Sequence, residues 1–91
     1  MAVEGDASWL TKYLLGLVKL AQERDIHFNP GYYRWKLGAY HYYNLKNDYE
    51  ATYGKIQPEE DCIPMIFEIP VEVEYSNILA IELWQNITND L

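Results

Sequence analysis

A single cysteine, Cys62, limits how this chain of 91 residues can be held together. One thiol forms no internal disulfide, and no second cysteine stands at the spacing a zinc site needs. The fold must therefore come from packing alone. A chain of this length buries about 60–65% of its unfolded surface, enough for one core and not for two, so residues 1–91 are read as one domain. Apolar residues make up 49% of the sequence, with three Trp, nine Tyr and two Phe to fill that core. Such a composition belongs to a folded chain rather than a disordered one.

Hydrophobic periodicity places the elements. Residues 9–24 read as a helix behind Ser8 as N-cap, with Leu10, Tyr13, Leu14, Leu17, Val18 and Ala21 on one stripe. Asn29-Pro30 resembles a second helix start, since proline loses nothing at a position whose N–H has no partner in the helix. The segment that follows has two periods. Tyr33, Trp35, Leu37 and Ala39 alternate with Arg34, Lys36 and Gly38 as a strand would, but a helix from Pro30 onward is the preferred reading. Residues 42–53 are clearer: Leu45, Tyr49 and Tyr53 recur every fourth residue, Lys46 and Glu50 can pair, and Gly54 follows as a stop.

Pro64 and Pro70 bracket a short apolar run and confine any strand there to an edge. Val71, Val73 and Tyr75 alternate with Glu72 and Glu74, the pattern of a half-buried strand, although a hairpin over residues 63–75 lacks a good turn. Ser76 then caps an expected helix over residues 77–89, with Ala80, Leu83, Trp84, Ile87 and Leu91 on one face. The fold expected from these segments is α+β and mainly helical, two or three helices packed on a short β-hairpin or edge strand.

The net charge of −7 is unevenly spread. Up to Leu45 four acids meet five bases, whereas from Lys46 onward ten acids meet only Lys46 and Lys55. A surface of that sign repels phosphate backbones and anionic lipid, so neither direct nucleic-acid binding nor a membrane is expected; a basic protein is the natural complement. No apolar run approaches the roughly 20 residues that span a bilayer. Residues 1–7 carry Glu4 and Asp6 where a secretory leader carries positive charge, which points to the cytoplasm.

Catalytic material is thin. Cys62 with His27 or His41 is the one nucleophile and base pairing available, and nothing flanking Cys62 resembles a hydrolase signature. His27, His41 and the run Glu59-Glu60-Asp61 come from distant segments without metal-ligand spacing, and the isolated glycines form no phosphate-binding loop. Neither an enzyme, a metal nor a cofactor is expected.

Tyrosine is the departure from average composition: six of the nine fall between Tyr32 and Tyr49. They cannot all face inward, and exposed tyrosine offers large, rigid contact area at low entropic cost. The expected function is therefore that of a small acidic inhibitor, which docks on a basic, nucleic-acid-handling protein such as a nuclease and blocks it. Phage counter-defence proteins and toxin-neutralising immunity proteins act in this physical way. The expected contacts are Tyr42 and Tyr49 as anchors, with Asp48, Glu50, Glu59, Glu60 and Asp61 steering the encounter. The alternative is a non-catalytic subunit, or a homodimer, joined through the tyrosine-rich face.

Overall fold

The computed structural model describes residues 8–85. Helix α1 (Ser8–Arg24) follows its stripe: Leu10, Leu14 and Val18 are buried, and Leu17 and Ala21 pack against the core. Tyr13, on the same stripe, stays largely exposed. Thr11, which lies off that stripe, is buried too, with its hydroxyl donating to Asp48 Oδ2 at 2.7 Å.

The helix that starts at Pro30 is a single 3-10 turn, Pro30–Tyr32, and not the longer helix expected. Asn29 accepts from the Gly31 N–H at 2.9 Å, and strand β1 (Tyr33–Gly38) follows. The strand wins because of where it sends the bulk. At about 100° per residue a helix would set Trp35 opposite Tyr33 and Leu37, whereas a strand turns all three to one side. All three are buried there, and Arg34 and Lys36 face outward.

Helix α2 (Ala39–Tyr53) begins directly at Gly38. Residues 75–80 cross so close that a Cβ at Gly38 would collide with the Ile78 carbonyl. The crossing also satisfies the helix start, since Gly38 N–H donates to Ala80 O at 2.8 Å and Tyr40 N–H to Ile78 O at 3.2 Å. The inward face of α2 is Tyr42, Leu45 and Tyr49.

Strands β2 (Met65–Ile66) and β3 (Ile69–Glu74) form an antiparallel hairpin over the two-residue turn Phe67-Glu68. Strand β4 (Ile81–Gln85) stands where a helix was expected. The sheet order is β2-β3-β1-β4, with β1 parallel to β3 and antiparallel to β4. Trp35 is matched by Val71 on one side and Leu83 on the other. The expectation of a mainly helical fold on a short hairpin is thus corrected to two helices against a four-stranded mixed sheet. Ile81 and Leu83 also alternate with Glu82 and Trp84, and β1 offers that alternation an edge to pair with, so pairing overrides the helical period. Ala80 is buried, Leu83 is half-buried, Trp84 faces outward, and Ile87 and Leu91 lie outside the described residues.

Both helices contribute to the same core as the inward side chains of β1 and β3. The other face of the sheet carries Arg34, Lys36, Glu72, Glu82 and Trp84 at its surface. No helix among the described residues is long and apolar enough to cross a membrane.

Candidate docking surface

The acidic run Glu59-Glu60-Asp61 is exposed. It forms part of the chain between α2 and β2, and that segment is anchored at several points. Glu50 accepts from the Ile56 N–H at 2.9 Å, and Ile56 O accepts from the Met65 N–H at 2.9 Å. Gln57 Nε2 donates to Cys62 O at 2.6 Å, and Cys62 N–H to Glu59 O at 3.0 Å. Ile56 is fully buried, which pins the loop to the core.

Between this loop and the β2–β3 hairpin lies a cleft of about 600 Å³, within the usual range for binding pockets. Buried Ile56 and Tyr49 lie at its base, and Cys62 is half-buried in its wall. Its open parts are apolar as well: Ile63 is 66% exposed and Met65 40%. Asp61 and Glu68 bring acid to the opening, with Lys55 the one base of the lining. Glu59 and Glu60, both exposed, precede Asp61 on the same loop.

The hairpin that forms the opposite wall has an unusual turn. Phe67 and Glu68 take φ of 52° and 66°, left-handed values that favour glycine or asparagine. Neighbouring contacts hold them there. Phe67 N–H donates to the Tyr49 hydroxyl at 2.8 Å, and the Phe67 ring meets Tyr49 and Tyr53 edge-on with centroids at 5.2 and 4.9 Å. Trp35 Nε1 donates to Ile66 O at 2.9 Å from beneath.

The residues expected to bind are thereby separated. Tyr42 and Tyr49 are each only 6% exposed, so they are core residues and the expectation that they present anchors is corrected. Both sit on the inward face of α2, where Leu45 sets the period. Burial raises the Tyr42 hydroxyl above its usual value, with Tyr43 and Glu50 adding to the effect. Burial raises Tyr49 as well, against the opposing hydrogen bond from Phe67. Asp48 is occupied with Thr11, and Glu50 holds the loop. Of the expected set, Tyr49 and Asp61 line the cleft, with Glu59 and Glu60 beside it. Ile63 and Met65 lie outside the expected set, and their sequence signal is apolar residues set between prolines next to an acidic run.

The exposed tyrosines are others. Tyr40, Tyr43 and Tyr75 gather with Ile78 and Leu79 where residues 75–80 cross the start of α2, and the Tyr43 and Tyr75 hydroxyls are 3.3 Å apart. His41 packs edge-on against Trp9 and Tyr40 at 6.0 and 5.5 Å. About two helical turns, roughly 12 Å, separate it along α2 from Tyr49, which lines the cleft beside Cys62. The Cys62 thiol has a contact of 3.9 Å with Glu59 Oε1. Among the described residues no three His, Cys, Asp or Glu side chains gather as a metal site. No protein-family model, curated protein or solved structure matches this chain.

Proposed function

We propose that this protein is a non-catalytic binding module that docks on a basic, nucleic-acid-handling protein and blocks it. The cleft between residues 54–64 and the hairpin receives an apolar side chain of that partner, while Glu59, Glu60, Asp61 and Glu68 meet the lysines and arginines around it. What supports this reading is one conjunction: the acidic loop borders an apolar cleft whose Ile63 and Met65 are exposed. Desolvated apolar anchors supply most of the affinity of an interface, and surrounding charges supply encounter rate and selectivity. On the sheet, Glu72 and Glu82 are the register partners of Lys36, which leaves Arg34 and Lys36 a poor track for a phosphate chain.

A fluorescent peptide with a central leucine among lysines is a direct probe, with serine in place of leucine as the control. The leucine peptide should bind and the serine peptide should not. Reversing Glu59, Glu60 and Asp61 to lysine should slow association about tenfold and flatten its salt dependence. Ile63→Ala should raise the dissociation rate about tenfold, or roughly 1.4 kcal/mol. Cys62→Ser should leave binding intact, whereas a bulky maleimide on Cys62 should abolish it. Binding that ignores both the charge reversals and the adduct would sink the proposal.

A second reading, a non-catalytic subunit held in an assembly, is favoured by the exposed cluster of Tyr40, Tyr43, Tyr75, Ile78 and Leu79. It predicts loss of assembly on Tyr75→Ala with the cleft unaffected.

A further inference from the structure

The sheet ends in two unlike edges. At one, β2 is two residues long, preceded by Pro64 and with Pro70 opposite Met65. Short strands and prolines are common means of keeping a sheet edge from pairing with another chain. At the other edge, β4 is five residues long with no proline, glycine or lysine, and among the described residues it pairs with β1 alone. Its inward side is incompletely covered. Ile81 and Leu83 are half-buried, and a groove of about 540 Å³ separates them from Leu17 and exposed Leu20 of α1.

We infer that β4 pairs antiparallel with β4 of a second copy of this chain, so that two sheets join into one. The strand is self-complementary. A two-fold axis at Leu83 sets Leu83 against its own copy, Ile81 against Gln85 and Glu82 against Trp84. Leu83 then meets its own copy on the groove side, and no glutamate of β4 directly faces another. The outward side adds charge complementarity. Lys36 Nζ stands 4.8 Å from the centre of the Trp84 ring, so Glu82 of the second copy, laid beside Trp84, approaches the same cation that Glu72 and Glu82 of its own sheet flank in register. Glu82 is the one acid of β4, while Glu72, Glu74 and the acidic loop belong to segments nearer the other edge. The inference does not rest on the cleft, which is walled by Met65 at the opposite edge of the sheet.

The full chain should therefore sediment as a dimer at tens of micromolar and dissociate on dilution. In a Cys62→Ser background, Leu83→Cys should oxidise to a disulfide-linked dimer at least tenfold faster than Ser76→Cys, because facing positions across an antiparallel pair have Cβ atoms about 4.5–5.5 Å apart. Charge variants test the same geometry without touching the inward side. Glu82→Lys and Lys36→Glu should each dimerise about tenfold more weakly alone and should form a heterodimer when mixed. A wild-type chain that stays monomeric up to about 1 mM overturns the inference. So does a Leu83→Cys cross-link no faster than the control, or a mixture that dimerises no better than its components. Peptide binding at the cleft should be unchanged in Glu82→Lys and Lys36→Glu, neither of which lines it, and this separates a failure here from a failure of the binding proposal.

Discussion

Trp35 and Trp84 lie on adjacent strands and do unlike work. Trp35 is fully buried and its indole N–H is bonded to Ile66 O, so truncation removes both a large apolar volume and a hydrogen bond. Trp84 is 48% exposed; its N–H bonds Glu82 Oε1 at 2.6 Å and its ring lies beneath Lys36. Trp35→Ala should cost about 3–5 kcal/mol, a large share of the stability of a domain this size. Trp84→Ala should cost about 1 kcal/mol, since an exposed cation–π contact is worth about 0.5–1 kcal/mol. Urea unfolding of both variants at concentrations where the chain is monomeric checks this, and equal costs would contradict the placement of the two rings. A helical reading of residues 77–89 assigns Trp84 to the core, so the pair of variants also tests the strand directly.

At the scale of the element, the β2–β3 hairpin is held by its surroundings rather than by its turn. Left-handed geometry costs a residue with a side chain roughly 1–2 kcal/mol, and Phe67 and Glu68 both adopt it. At Phe67 the aromatic contacts and the Tyr49 hydroxyl offset that cost. Glu68 is exposed and has no such role in packing. Glu68→Gly should therefore raise stability by about 0.5–1 kcal/mol, less than the full relief because glycine also loosens the unfolded chain. Phe67→Gly relieves the same strain but removes the ring, and should destabilise. The denaturant midpoint should move in opposite directions for the two variants with the slope unchanged. A Phe-Glu pair is no turn signal, which is why a hairpin over residues 63–75 looks unsupported from sequence. The strand Val71 to Glu74 is legible there because Val and Glu alternate within it.

Across the whole molecule, the buried tyrosines tie stability to alkaline pH. Tyr42 and Tyr49 have hydroxyls raised above the usual 10.0 by burial. In the unfolded chain each would ionise at the usual value, so below it both states are neutral and stability does not change through these groups. As pH rises through about 10 the unfolded state releases protons first, and stability falls until the folded hydroxyls also ionise. The denaturant midpoint should thus hold steady at about pH 8 and drop by about pH 11. Tyr42→Phe should reduce the drop, because phenylalanine has nothing to ionise. An unchanged drop would show that other groups carry it.

Local pattern alone determined helix α1, the later part of α2, the Val-Glu alternation of β3 and the acidity of the second half. Each depends on neighbours within a few residues, where period and charge can be counted directly. The tertiary structure decided what carries two periods at once. Tyr33 to Gly38 and Ile81 to Gln85 each suit a helix or a strand by local count, and they become strands because they pair with each other across dozens of residues. That pairing also decided which tyrosines are buried, since a helix beginning at Ala39 rather than Pro30 turns Tyr42 and Tyr49 inward with Leu45. The cleft also needed the folded chain. Ile56, Ile63 and Met65 surround one space only because Glu50 and Met65 hydrogen-bond the Ile56 backbone and draw the loop onto the hairpin, and such a bond leaves no periodic trace in a sequence.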